Sequence, residues 1–329
     1  MENTEFELWH YTTLDGLKGI LSDKTLWATH YRYLNDSSEF LYSQSIIQQV
    51  ALPRVVSIIA NECEKNPDAQ RIAEANGGIQ NLAKIETDET ISEIIFPALL
   101  ESSSLSQIPF VLSFCKVPKN DMFLNKNGLL SQWRGYGKNG GYAIIFDFEE
   151  IINEFKIEEK SFYHGIATHG NIVYGTNGLT KEIKEALGKI SDHVYEIYHF
   201  RLHRGQRPVV TPDELSSLFS CVALLKHEGF KEENEYRFCT VSYCKDAQHN
   251  KNFVEDKNKD FKIIMTTNKK GVLVPYIRLF EKSKNLPIKG ICIGPHRDKK
   301  LKLESVKTYL RNLGLSNIEV FCSEIPYVG

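Results

Sequence analysis

Apolar positions recur at two periods along this chain, and the switching between them predicts strands and helices in mixed order. Glu7 to Tyr11 alternates as a first strand. Leu14, Leu17, Ile20 and Leu21 then follow at helical spacing, with Thr12, Thr13 or Asp15 as cap and first-turn residues. Thr25 to Tyr33 reads as a second strand, whose alternation puts Tyr31 and Tyr33 on one face. Asp36, three residues before Glu39, has the spacing of a capping box and opens a long helix past Val50. From residue 61 to 108 the pattern is helical and polar-faced, with breaks expected at Pro53, Asn76-Gly77-Gly78 and Pro97. Pro109 to Cys115 is continuous enough for a buried strand. A strand at Tyr142 to Phe146 and a short helix at Glu149 to Phe155 come next, then a strand pair over Ser161 to Tyr174 turning at His169-Gly170.

Helices fit Leu179 to His203 and Asp213 to Glu228, and strands fit Phe238 to Tyr243, Phe261 to Met265, Gly271 to Phe280 and Ile288 to Ile293. Gly294-Pro295 begins a terminal helix to Leu313, and Ile318 to Phe321 is a last strand. Strands at both ends with helices between them predict an α+β fold. The expectation is one domain over 1–329, with helical insertions at 40–108 and 178–228.

Composition narrows the function classes. In 329 residues, 40 Lys and Arg stand against 42 Asp and Glu, a net charge of −2. No global basic field is available to coat nucleic acid, although a local groove is allowed. The seven cysteines are scattered and form no C-x-x-C pair, which argues against a disulfide framework and a structural zinc site. No metal-ligand spacing such as H-E-x-x-H occurs. The first residues hold no apolar signal run and no stretch reaches the roughly 18 apolar residues of a membrane span. A cytoplasmic protein without membrane contact is the expectation.

Four stretches carry candidate chemistry. The densest is Leu129 to Asp147, LLSQWRGYGKNGGYAIIFD. Its glycines let backbone approach a ligand closely, the Trp133 and Tyr136 faces suit a flat ring, and the Arg134 guanidinium suits phosphate. The same residues also fit a β-hairpin in which Trp133 and Tyr136 fill core and Arg134 pairs with a carboxylate. Trp9-His10-Tyr11-Thr12 places an imidazole and two hydroxyls at a strand end, although a single such histidine is more often structural than catalytic. The third stretch runs from Tyr31 to Glu39; either tyrosine there suits ring stacking, whereas Asp36 and Glu39 are assigned to capping. On a strand, Glu233, Glu235 and Arg237 share one face, either as a solvated ion-pair ladder or as a site. Gly294-Pro295-His296 reads as a turn with a helix cap.

LWHYT at 8–12, YLND-x-x-E at 33–39, SFC at 113–115, LLSQWRGYG at 129–137, GF-x-x-E-x-E-Y-R at 229–237, IGP at 293–295 and SEIPY at 323–327 together resemble a bacterial family known as domain of unknown function family 2971. The candidate site within it resembles that of the ADP-ribosyltransferase superfamily. That resemblance implies a split mixed or antiparallel β-sheet with a nicotinamide pocket between its halves, and NAD as substrate. It implies that His10 binds the ribose of NAD, that Tyr33 stacks on nicotinamide, and that Glu235 is the late catalytic glutamate, with Glu233 completing an E-x-E. Ser113 matches a central serine of one branch, and Arg134 would hold pyrophosphate. Tyr11, Thr12, Trp133, Tyr136 and Arg237 complete the expected binding set. The chain mixes features of two branches of the superfamily, and the long helical insertion has no counterpart in either.

The resulting expectation is an NAD-dependent ADP-ribosyltransferase. It would be a toxin or phage-defence effector modifying a protein or nucleic acid, with an antitoxin or chaperone as candidate partner. Two other readings compete: a nucleic-acid binder using Trp133, Tyr136 and Arg134 as a stacking surface, and a nucleotide-sensing module without transferase activity.

Overall fold

The computed structural model describes residues 5–34, 38–95, 107–137, 140–203, 218–243, 245, 255–269 and 271–326. Its centre is strand β3 (Gln107–Pro118), whose two edges carry different partners. On one edge β8 (Glu235–Tyr243) pairs antiparallel from Gln107 to Cys115, and β5 (His164–Asn171) extends the sheet beyond it. The other edge is shared. β1 (Phe6–Thr12) pairs with Cys115 to Pro118, whereas β2 (Leu26–His30) pairs with Phe110 and Val111. From β1 the sheet continues through β4 (Tyr142–Phe146), β11 (Ile288–Ile293) and β12 (Glu319–Cys322); from β2 it continues through β10 (Val272–Leu279) and β9 (Met265–Lys269). The two wings therefore part between Val111 and Cys115, leaving a fork in the sheet at Ser113.

Alternation sorts the side chains onto two faces. Leu8, Phe110, Leu112, Phe114, Ile144, Phe146, Tyr236 and Phe238 point to one side. There they pack on α1 (Leu14–Asp23) through Leu17 and Leu21, on a helix at Phe148–Ser161 through Ile151 and Phe155, and on the terminal helix at Lys299–Asn312 through Val306 and Leu310. The opposite face is covered in two separate pieces. At one end lie α2 (Ser38–Lys65), α3 (Pro67–Ala75), α4 (Ile79–Glu89) and two helices at Lys181–Gly188 and Ile190–His203, packed through Ile47, Val55, Leu82, Leu187 and Val194 against Tyr31, Val111 and Cys239. At the other end Trp9, Tyr11, Val117, Ala143, Ile145 and Cys292 pack under Trp133, from α6 (Leu130–Tyr136), which follows α5 (Met122–Asn127).

Several expected elements are corrected. The glycine-rich stretch is not a hairpin: α6 occupies Leu130–Tyr136, and Gly137 caps it through its N–H to the Trp133 carbonyl. The second strand stops at His30, and Tyr31–Tyr33 form a 3-10 turn. That turn separates the two tyrosines, sending Tyr31 into the helical core, where its hydroxyl lies near Ser43 and the Val222 carbonyl. Pro53 sits inside α2 rather than ending it, and Asn76-Gly77-Gly78 is the break between α3 and α4. His169-Gly170 lies within the single strand β5, not at a turn. The strand expected at Phe261 begins only at Met265, and the terminal helix begins at Lys299. Asp36, Pro97 and residues 213–217 lie outside the described residues. Among the described residues no helix is long and apolar enough to cross a membrane.

Candidate functional site

A cavity of about 290 Å³ opens on the two-piece face, between the helical layer and α6 and directly over the fork. His10, Tyr11, Tyr33, Ser113, Tyr136, Glu233, Glu235 and Arg237, eight of the candidate residues, line it. The fork explains why His10 belongs to this wall. Strand alternation would turn its side chain to the face opposite Ser113 and Glu235, but β1 has already left β3 at this level. The imidazole fills the gap, with Nδ1 3.2 Å from the Ser113 carbonyl. A carbonyl only accepts, so Nδ1 carries the proton and Nε2 of the neutral ring is an acceptor. Burial lowers the His10 pKa, with the Ser113 hydrogen bond working the other way, and the neutral form is favoured.

The other wall is a cluster of charges buried against the helical layer. Lys226, on the short strand β7 (Leu225–Lys226), reaches Glu39 at 3.2 Å, Glu233 at 2.7 Å and Glu235 at 2.9 Å. Arg237 grips both oxygens of Glu235, at 2.6 and 3.1 Å, and reaches Glu39 at 2.8 Å and the Ala223 carbonyl at 3.0 Å. Burial alone would raise the Glu235 pKa, but Arg237 and Lys226 outweigh it and hold the carboxyl at about 2. Burial likewise works against the charge on Lys226, and there Glu235 and Glu39 prevail and raise its pKa. Glu233 behaves differently. Burial dominates and raises its pKa despite Lys226, and its Oε1 has no partner among the described residues. With its three carboxyl groups ionised against two cations, the cluster carries one uncompensated negative charge.

Local structure places each of these groups. Glu235 and Arg237 share the cavity face of β8 by alternation, as their spacing predicts. Glu233 is not on that strand: it ends a 3-10 turn, Glu228–Glu233, and Asn234 in the left-handed region redirects the chain into β8. Glu39 is expected mainly to cap α2, yet its carboxylate joins Arg237 and Lys226 across the layer boundary. Its spacing to Asp36 mimics a capping box, which hides this role in the sequence. Lys226 also went unnoticed, although a lysine closing the apolar run Val222-Ala223-Leu224-Leu225 is a signal of a buried, paired charge. Gln132, on α6, and Trp27, on β2, also line the cavity without having been singled out.

Three candidates lie elsewhere. Trp133 is core: it is 4% exposed, donates Nε1–H to the Asn127 carbonyl at 2.9 Å and meets Tyr11 edge-to-face. Arg134 is exposed on the side of α6 away from Gln132 and Tyr136, and does not line the cavity. Thr12 also falls outside it. Tyr11 contributes wall, and its hydroxyl oxygen accepts the Leu129 N–H at 2.8 Å. Trp9, 1% exposed, lines the cavity with a buried Nε1–H that has no partner among the described residues.

Residues 132–238 match a family model described as a protein of unknown function, DUF2971. The matched segment carries six cavity residues, Gln132, Tyr136, Lys226, Glu233, Glu235 and Arg237. The other walls, from β1, β2, α2 and β3, come from outside it. No curated protein and no solved structure matches the chain, so the likeness to ADP-ribosyltransferases has no structural neighbour behind it. Among the described residues no group of His, Cys, Asp and Glu is placed to hold a metal ion.

Proposed function

We propose that the cavity at the sheet fork binds the nicotinamide riboside end of NAD, and that the chain is an ADP-ribosyltransferase. The observation that carries this reading is the uncompensated negative charge of the buried cluster at the fork. A nicotinamide ring attached to ribose is cationic, and the ribose becomes oxocarbenium-like as its glycosidic bond breaks. A fixed negative wall favours both. The volume fits part of a dinucleotide: pockets that enclose a whole drug-sized ligand run to about 300–1,000 Å³, and about 290 Å³ suits one ring and its sugar. His10 Nε2 offers an acceptor to a ribose hydroxyl.

Within this reading Glu233, not Glu235, meets the substrate. Both Glu235 oxygens are committed to Arg237 and Lys226, whereas Glu233 keeps one oxygen unpaired and a carboxyl of raised pKa. The C1′–N bond breaks with its electron pair leaving on nicotinamide. The acceptor nucleophile bonds to C1′ and gives its proton to Glu233. Glu235 and Arg237 position that carboxylate through Lys226.

The test uses NAD labelled in its adenosine half, incubated with the purified chain and cell lysate. Label should pass to protein or nucleic acid with release of nicotinamide, and Glu233→Gln should lower the rate at least 100-fold while unfolding as cooperatively as wild type. A wild-type protein that binds NAD but releases no nicotinamide with any lysate would favour a nucleotide sensor. One that neither binds nor cleaves NAD would overturn the proposal.

A further inference from the structure

Trp27 stands at the cavity wall in a state that core packing does not explain. It lies on β2, is 44% exposed, and stacks on Tyr276 of the neighbouring strand with ring centres 4.1 Å apart and planes 23° from parallel. Tyr276 itself is 5% exposed, so the pair is a fixed indole backed by a buried ring. Tyr276 takes one face of the indole, and the exposed area lies on the other face and the ring edges. The remaining tryptophans, Trp9 and Trp133, are 1% and 4% exposed. A large aromatic held flat and left open to solvent beside a ligand cavity is the arrangement used to stack bases.

We infer that Trp27, backed by Tyr276, is the stacking platform for a nucleobase carried by the ligand outside the cavity. The inference rests on the nucleotide reading above and adds a second subsite to it. Two observations set its position. The cavity holds about 290 Å³, so a dinucleotide seated by its nicotinamide riboside must leave its second base outside. The negative cluster repels phosphate, which pushes the pyrophosphate away from Glu233 and Glu235 and towards the open rim. Trp27 is the cavity-lining tryptophan with exposed surface there.

The exposure pattern makes the test direct, because Trp27 alone among the three indoles is open to quenching by a stacked base. The chain is titrated with ADP-ribose, nicotinamide mononucleotide and a single-stranded oligonucleotide, following tryptophan fluorescence and calorimetric affinity. ADP-ribose should quench the solvent-exposed component. Its affinity should fall about 10-fold in Trp27→Ala, the scale of one lost base stack, and stay within about 3-fold in Trp27→Phe, which keeps an aromatic face. Nicotinamide mononucleotide should bind wild type and Trp27→Ala alike. If nicotinamide mononucleotide binds but ADP-ribose affinity is unchanged in Trp27→Ala, the platform is wrong and the nicotinamide site stands. If neither small ligand binds wild type, the nucleotide reading and this inference fall together. Quenching by the oligonucleotide alone would also overturn the inference, and would assign Trp27 to a nucleic-acid surface.

Discussion

Lys226 holds three carboxylates with one ammonium, in a place where its side chain is 5% exposed. Breaking such a buried group costs more than its formation gains, because the partners left behind remain desolvated. Lys226→Met should therefore lower unfolding stability by about 3–5 kcal/mol, measured by urea titration; a loss under about 1 kcal/mol would mean that the carboxylates find water or protons at little cost. The same cluster sets an acid limit. The Glu235 carboxyl lies at about 2 in the folded chain against an ordinary 4.5, so its contribution is complete above pH 4.5 and lost as pH falls towards 2. Wild-type stability should drop across that window, and Glu235→Gln should flatten the drop. Glu233, whose pKa is raised, contributes with the opposite sign and in a different window: above pH 4.5 its ionisation costs stability as pH rises, so Glu233→Gln should remove that loss and leave the drop below pH 4.5 in place. An unchanged slope in Glu235→Gln would contradict the assignment.

At the scale of the element, α6 and the turn after β11 approach each other closely. Gly294 follows β11, and a Cβ there would collide with the Gly140 carbonyl and the Trp133 ring. Gly294→Ala should cost roughly 1–3 kcal/mol by overpacking, read as a lower midpoint in thermal or urea unfolding; a neutral effect would mean that the turn shifts freely. This contact also explains why the Trp-Arg-Gly-Tyr-Gly stretch misleads. Within it Gly137 does permit close approach, but to the Trp133 backbone and indole ring rather than to a ligand, and a Cβ at Gly135 would meet nothing. The Glu235 and Arg237 pair was legible because charges alternate with the apolar Tyr236 and Phe238. The role of Glu39 was not, since a capping glutamate and a buried one occupy the same position relative to a helix start. The 3-10 turn at Tyr31–Tyr33 was hidden as well, because aromatic alternation continues through it unchanged.

For the whole molecule, the sheet divides on β3 and its covered face is roofed in two pieces, with the cavity in the gap. The α+β class and most strands follow from periodicity alone, since Tyr142 to Phe146 and Ile288 to Ile293 are apolar enough to fix their own places. The fork does not: it arises because β1 and β2 use the same edge of β3 at different heights, a pairing over distance that no local pattern records. We propose that this fork, with His10 in it, is the seat of NAD. Calorimetric titration of NAD into wild type and His10→Ala tests it most directly. Wild type should bind NAD, and a folded His10→Ala variant should bind it at least about 10-fold more weakly. Equal affinity in the two proteins, or no binding by either, would contradict it.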